Sequence, residues 1–244
     1  MAKFRSARYL ALGALAVLSP VAGLLPAAPA GAAVSGVTIT EVAPWGSGTA
    51  AYGADWFELT NPTSSPITVT GWKMDDNSNS SASAVPMVGI TTIAPGESVI
   101  FVEGTASTAT AFKTAWFGSN PTTVQVGSYT GSGVGLSQTG DAVNVYDSAN
   151  VLQFNVSFGA SGATTPLKTF DNAVAASGAI STLSATGVNG AFLAANDSNE
   201  LGSPGTISNS ASVPEVPYLV LLPATGLALL GGYLYLNRRR AAAA

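Results

Sequence analysis

The chain has 244 residues, 47% of them apolar and only 9% charged, and contains neither cysteine nor histidine. That composition supplies a core and a surface of Ser, Thr, Asn and Gly rather than a disordered polyelectrolyte, and it excludes disulfide frameworks, thiolate or imidazole zinc sites and nucleophile–histidine triads. Six of the nine basic residues lie at the two ends, so that between them only Lys73, Lys113 and Lys168 face all 13 acids; a body this acidic repels phosphates, and no nucleic-acid partner is expected.

The chain begins with a basic stretch (Lys3, Arg5, Arg8), an apolar run from Tyr9 to Leu18, and a Pro/Ala/Gly-rich segment ending in Ala30-Gly31-Ala32. These are the three regions of a secretory signal peptide, expected over 1–33 with cleavage after Ala32 or Ala33. The breakers Pro20, Pro26 and Pro29 argue against a membrane anchor here.

From residue 36 to 158 the pattern is one of short strands separated by turn residues. Val37–Val42 alternates apolar and polar side chains, Trp56–Thr60 follows, and Ile67–Thr70 precedes Gly71-Trp72-Lys73-Met74. Asn61-Pro62, Ser65-Pro66 and Ala94-Pro95-Gly96-Glu97 mark turns, the last before the apolar run Ser98–Val102. One helix is predicted over Ala106–Trp116, and Gly140–Asp147 with Val151–Phe158 forms the clearest hairpin. Many short strands with little helix between them favour an all-β antiparallel sandwich.

The motif order is informative. Ile39-Thr40-Glu41-Val42, then Asp55–Pro62, then Val69–Met74, then Ile93–Glu97, then Gly140–Asp147 resembles the lamin-tail domain family. That resemblance implies an immunoglobulin-like β-sandwich which, in bacteria, accompanies secreted or surface proteins as an accessory or interaction module. Glu200-Leu201-Gly202-Ser203-Pro204-Gly205 resembles the closing segment of many bacterial members.

Residues 159–205 form an Ala/Ser/Gly-rich extension that could add edge strands to the sandwich, and 206–217 reads as a linker. The segment 218–240 combines an uncharged stretch from Tyr218 to Leu236 with Arg238, Arg239 and Arg240. As a helix the stretch would be about 28 Å long, enough to span a bilayer with the arginines on the cytoplasmic side. Its Pro-Glu motif (Val213, Pro214, Glu215), apolar span and Arg cluster resemble the PEP-CTERM tails processed by exosortases, with Val216 at the place of the second motif proline. Leu222-Pro223-Ala224-Thr225-Gly226 matches the LPXTG pattern of sortase substrates, cut between Thr225 and Gly226. The expected partners are thus the membrane and a sorting peptidase, exosortase-like or sortase.

Candidate chemistry is sparse. Glu41 and Glu58 lie on predicted strands, where polar edge positions are the plain reading and a glycosidase pair across a groove the sharper one, with Asp75 as a third carboxylate. Asp75, Asp76 and Asn77, in the run to Ser80, offer oxygen ligands for Ca²⁺ but lack the glycine and distal Glu of an EF-hand. Trp56, Trp72 and Trp116 are expected in the core, and Trp45, in the loop from Pro44 to Gly53, is the expected exposed aromatic. Asn79, Asn155 and Asn196 each open an N-x-S triplet. No cofactor is expected. The leading expectation is an exported, surface-anchored, non-enzymatic module meeting an extracellular protein or polysaccharide. The alternatives are a carboxylate- or metal-dependent carbohydrate-active hydrolase and a purely structural sheath component.

Overall fold

Short alternating stretches that end in Gly, Pro or Asn can satisfy their backbone polar groups only by pairing with other stretches, so sheet topology carries this fold. The computed structural model describes residues 36–206, apart from 120, 121, 131, 132 and 163. The signal peptide and the sorting residues Val213, Pro214, Glu215, Leu222, Pro223, Thr225, Gly226, Arg238, Arg239 and Arg240 lie outside the described residues. Among the described residues, no helix is long and apolar enough to cross a membrane.

In chain order, β1 (Thr38–Ala43) leads through a short turn of helix, α1 (Gly46–Thr49), to β2 (Trp56–Thr60), β3 (Ile67–Thr68), β4 (Lys73–Asp75), β5 (Val85–Val88), β6 (Thr92–Ile93) and β7 (Ser98–Glu103). Helix α2 (Ala106–Phe117) precedes β8 (Val126–Tyr129), β9 (Asp141–Tyr146) and β10 (Leu152–Phe158). The extension then supplies β11 (Leu167–Lys168), β12 (Phe170–Asp171), β13 (Gly178–Ile180), β14 (Phe192–Ala194) and β15 (Asp197–Gly202).

Ten strands form one sheet, ordered β12-β1-β2-β7-β8-β5-β4-β9-β10-β13. It doubles over at β5, which pairs with β8 on one side and β4 on the other. Ile39, Phe57 and Val99 from one half meet Met74, Val143 and Val156 from the other in a shared apolar core; full burial of one such side chain is worth about 1.5–3 kcal/mol. The β12 end is covered by the segment just past β13, since Phe170 bridges Leu183 and the Asp171 N–H donates to Thr182 O. The β12 edge, which would otherwise invite pairing with another chain, is thereby occupied.

The expected antiparallel sandwich is mixed in its pairing: β7–β8, β10–β13 and β11–β15 run parallel. Helix α2 is the crossover that makes the first of these feasible, because strands of the same direction cannot be joined by a tight turn. Its start is fixed by a capping box in which Thr105 and Thr108 exchange side-chain to backbone bonds, and it ends at Gly118 in a positive-φ conformation. The helix packs on the outer face of β1, β2 and β7, where Phe112 and Trp116 meet Trp56 edge-to-face at 5.4 and 5.6 Å between ring centroids. This is a second apolar core. Beside it lies a separate three-stranded sheet, β11-β15-β14.

Candidate functional site

A bulge in β1 between Ile39 and Glu41 decides which side chains leave the core. Two residues there stand against one on β2, so that Glu41 pairs directly with Glu58 while Ile39 and Val42 both remain in the first core. Placing two carboxyls opposite each other in neighbouring strands is unfavourable in water and more so out of it. Both are nonetheless sealed, at 0% and 1% exposure.

The lid comes from the far end of the described chain. Glu41 Oε1 accepts from Thr169 Oγ1 and from the Ser203 N–H at 2.7 Å, and Glu58 Oε2 accepts from the Gly205 N–H at 2.7 Å. Residues 202–205 therefore strap the pair shut. Glycine is required in the strap for steric reasons. A Cβ on Gly202 would sit 2.6 Å from Glu41 Oε1, and Gly205, at φ +75°, would place one 2.3 Å from Val124.

From Glu58 a chain of hydroxyls runs along the outer face. Thr40 Oγ1 contacts Glu58 Oε1 at 2.6 Å, as a donor if the acid is ionised. Thr40 and Thr60 hydroxyls are 2.7 Å apart, Thr60 and Ser98 hydroxyls 2.6 Å, and Ser98 Oγ donates to Thr206 O at 3.1 Å. These four contacts need four protons, and the three hydroxyls supply three. A proton on Glu58 completes the set, each group then donating to the next until the carbonyl ends the chain. Glu41 needs none, because Ser184 Oγ lies 2.6 Å from Thr169 and can donate to it while Thr169 donates to Glu41. Burial, opposed by the bonds from Thr169 and Ser203, lifts Glu41 to about 7. Burial and then the repulsion of Glu41 hold Glu58 well above the ordinary carboxylate range. Geometry and electrostatics agree that the shared proton sits on Glu58.

A third buried acid, Glu200, stands on β15. Its Oε2 accepts from Tyr52 Oη at 3.1 Å, and that hydroxyl accepts from the Trp56 and Trp116 indole N–H groups at 3.0 and 3.3 Å. Burial raises Glu200 to about 8 and pushes the Tyr52 hydroxyl well above its ordinary value. The sequence marked Glu200 and Ser203 only as parts of a closing segment and did not mark Thr169 or Ser184: the bonds of Thr169 and Ser203 to Glu41 and of Glu200 to Tyr52 span more than a hundred residues, and Ser184 reaches Glu41 only through Thr169. The readable signal was the recurrence of hydroxyl and carboxyl side chains at Thr40, Glu58, Thr60 and Ser98, positions that alternation sends to one face of the sheet.

Asp75 is not part of this group. It lies on β4, in the other half of the sheet, with Oδ2 accepting from Ser78 Oγ and the Ser80 N–H, both at 2.7 Å. Asp76 Oδ1 accepts from the Ser78 N–H at 2.9 Å, and the Asn77 N–H donates to Asp141 Oδ1 at 3.0 Å. Asp75 and Asp76 thus use one carboxylate oxygen each on the turn that follows them, while Asn77 ties that turn to β9 through its backbone N–H. Among the described residues, no group of three or more Asp, Glu, His or Cys is arranged to hold a metal ion.

Trp56, Trp72 and Trp116 are all buried. So is Trp45, at 1% exposure, which corrects its expected place on the surface: β11 covers it, and its indole N–H donates to Lys168 O at 3.1 Å. Of the N-x-S residues, Asn79 accepts from Tyr146 Oη at 2.6 Å and Asn196 donates to Thr114 O at 2.8 Å, while Asn155 lies half-buried on β10.

Comparison with curated proteins yields no match to this chain. A family model described as Lamin Tail Domain matches residues 30–160, which takes in β1 to β10 and the paired glutamates. The match covers more than half of the sequence, and the chain belongs to the lamin tail domain family.

Proposed function

We propose that this protein is an exported, surface-anchored interaction or structural module of the cell envelope or extracellular matrix, and that it performs no catalysis. The lamin tail domain is a non-catalytic, immunoglobulin-like interaction family, which sets the starting point for that reading. The observation that carries it is the state of the Glu41–Glu58 pair. A glycosidase needs two carboxyls flanking an open cleft, whereas here the pair is enclosed by the strap and bound to internal donors. The strap would have to leave before any sugar reached either acid.

Export and anchoring are supported by the sequence at the two ends. A signal peptide over 1–33 would release a mature chain at Ala33 or Val34, and 218–240 would hold it at the membrane for an exosortase-like enzyme or a sortase. The body's excess of acids disfavours nucleic acid, and the partner proposed for it is an extracellular protein or polysaccharide.

Expression of the full gene in its own host, followed by surface proteolysis and intact-mass measurement, tests this reading. The expected result is a protease-accessible protein beginning at residue 33 or 34. An end near residues 213–217 assigns an exosortase-like enzyme, an end at Thr225 a sortase, and retention of Arg238–Arg240 an uncleaved anchor. A protein that stays inside the cell with residues 1–33 attached would overturn the proposal.

A further inference from the structure

Helix α2 does not fill the space between itself and the sheet along its whole length. At the β8 end a groove of about 580 Å³ remains, within the range of small-molecule sites. Its cause can be read from the residues. On the side facing the helix the floor is made by Val126 and Ser128 of β8 and Val88 of β5, because Gly127, paired with Phe101 and with its missing Cβ directed at that ring, faces the first core. Facing it, the helix presents Ala106, Ala109, Thr110 and Lys113, one face at helical spacing and small except at its end. Interiors are normally close-packed; here neither surface has the bulk to close the gap.

The lining is chemically one-sided. Val88, half exposed, and Val126 make an apolar wall, and no Asp or Glu lines the groove. Lys113 supplies its only ionised side chain and has no hydrogen-bond or ion-pair partner among the described residues. Side chains on a helix lean toward its N-terminus, which sends the Lys113 stem back over Thr110 and Ala109 and its ammonium along the groove. In a body where three lysines face 13 acids, an uncommitted ammonium beside an apolar groove free of acids is a site of reversed sign.

We propose that this groove binds a small amphiphilic carboxylate, its alkyl or aryl body against Val88, Val126 and Ala109 and its carboxylate on Lys113. Charge complementarity selects an anion over a cation or an alcohol, and the apolar wall selects it over acetate or inorganic anions. Negative charge elsewhere on the body is screened beyond roughly 8 Å at physiological salt.

The test uses the full-length chain labelled with ¹³C-lysine, whose four lysines at 3, 73, 113 and 168 give separately assignable signals. Hexanoate serves as the probe, with hexan-1-ol and hexylamine as controls. The expected result is a saturable shift of Lys113 alone and affinity for hexanoate about tenfold or more above hexan-1-ol, as a charge-assisted hydrogen bond would give. With ¹³C-methyl valine as reporter, Lys113→Gln should abolish that preference. Thr110→Trp, at an exposed position that leaves the core untouched, should block all binding by filling the groove. Equal shifts at every lysine, no saturation, or unchanged hexanoate affinity in Lys113→Gln would overturn the proposal.

Discussion

Glu58 is the residue whose protonation the local geometry fixes most firmly, because three hydroxyls cannot satisfy four contacts without it. In the infrared spectrum at pH 7 a protonated-carboxyl band is expected from Glu58 together with Glu200 and part of Glu41, and Glu58→Gln should lower its intensity by one carboxyl while keeping a donor for Thr40. An unchanged band in Glu58→Gln would show Glu58 ionised. Glu41 carries the pH dependence. Its pKa is about 7 in the fold against 4.5 for a free glutamate, so the folded state holds a proton that the unfolded chain has already lost. Its contribution to stability is full below about 4.5 and is lost as pH rises through about 7. Burial shifts Asp55, to about 6, and Glu200, to about 8, in the same direction. Thermal unfolding is therefore expected to move to lower temperature by several degrees between pH 5 and pH 8, a 1 kcal/mol change being worth roughly 2–4 °C at this size. Glu41→Gln should flatten that slope, and a wild-type slope of the opposite sign would contradict the assignment. In the sequence, Glu41 and Glu58 were legible as unusual strand residues, but their pairing was not. A one-residue bulge sets it, and alternation alone cannot reveal a bulge.

Elements with local causes were readable. Helix α2 was predicted over 106–116 and spans Ala106–Phe117, because Thr105 and Gly118 bracket it. The β9–β10 hairpin follows from alternation on both arms and the turn between them. Capping and packing should contribute differently to the helix. Thr105→Ala removes the side-chain half of the capping box and is expected to cost about 1 kcal/mol. Phe112→Ala leaves a cavity between Trp56, Trp116 and Tyr52 and is expected to cost about 3–5 kcal/mol. Urea unfolding of the two variants checks the ranking, and similar losses would mean that the second core is looser than its ring contacts indicate. β11, β12 and β13 were not individually readable. Each is two or three residues long in an Ala/Ser/Gly-rich segment, and each exists through pairing with a strand that is distant in sequence or buried beforehand. Trp45 was misplaced for the same reason, since its cover, β11, arrives more than a hundred residues later.

At the scale of the whole molecule, the domain does not end where the family match ends. The match stops at residue 160, yet the segment beyond it adds β12 and covers its edge through Phe170 and Leu183, covers Trp45, and supplies Thr169, Ser203 and Gly205 to the paired glutamates. Without it, two buried acids would face water across an open groove and one flank of the second core would be bare. The strap thus separates a sealed structural pair from an arrangement with the outward form of a glycosidase site. Thermal unfolding of the full chain beside a chain ending at residue 160, followed by tryptophan fluorescence, tests this most directly. The full chain is expected to unfold in one cooperative transition and the shortened chain to show none. A cooperative transition in the shortened chain within a few degrees of the full-length value would contradict the account, reducing the extension to an ornament and reopening the acid pair to substrate.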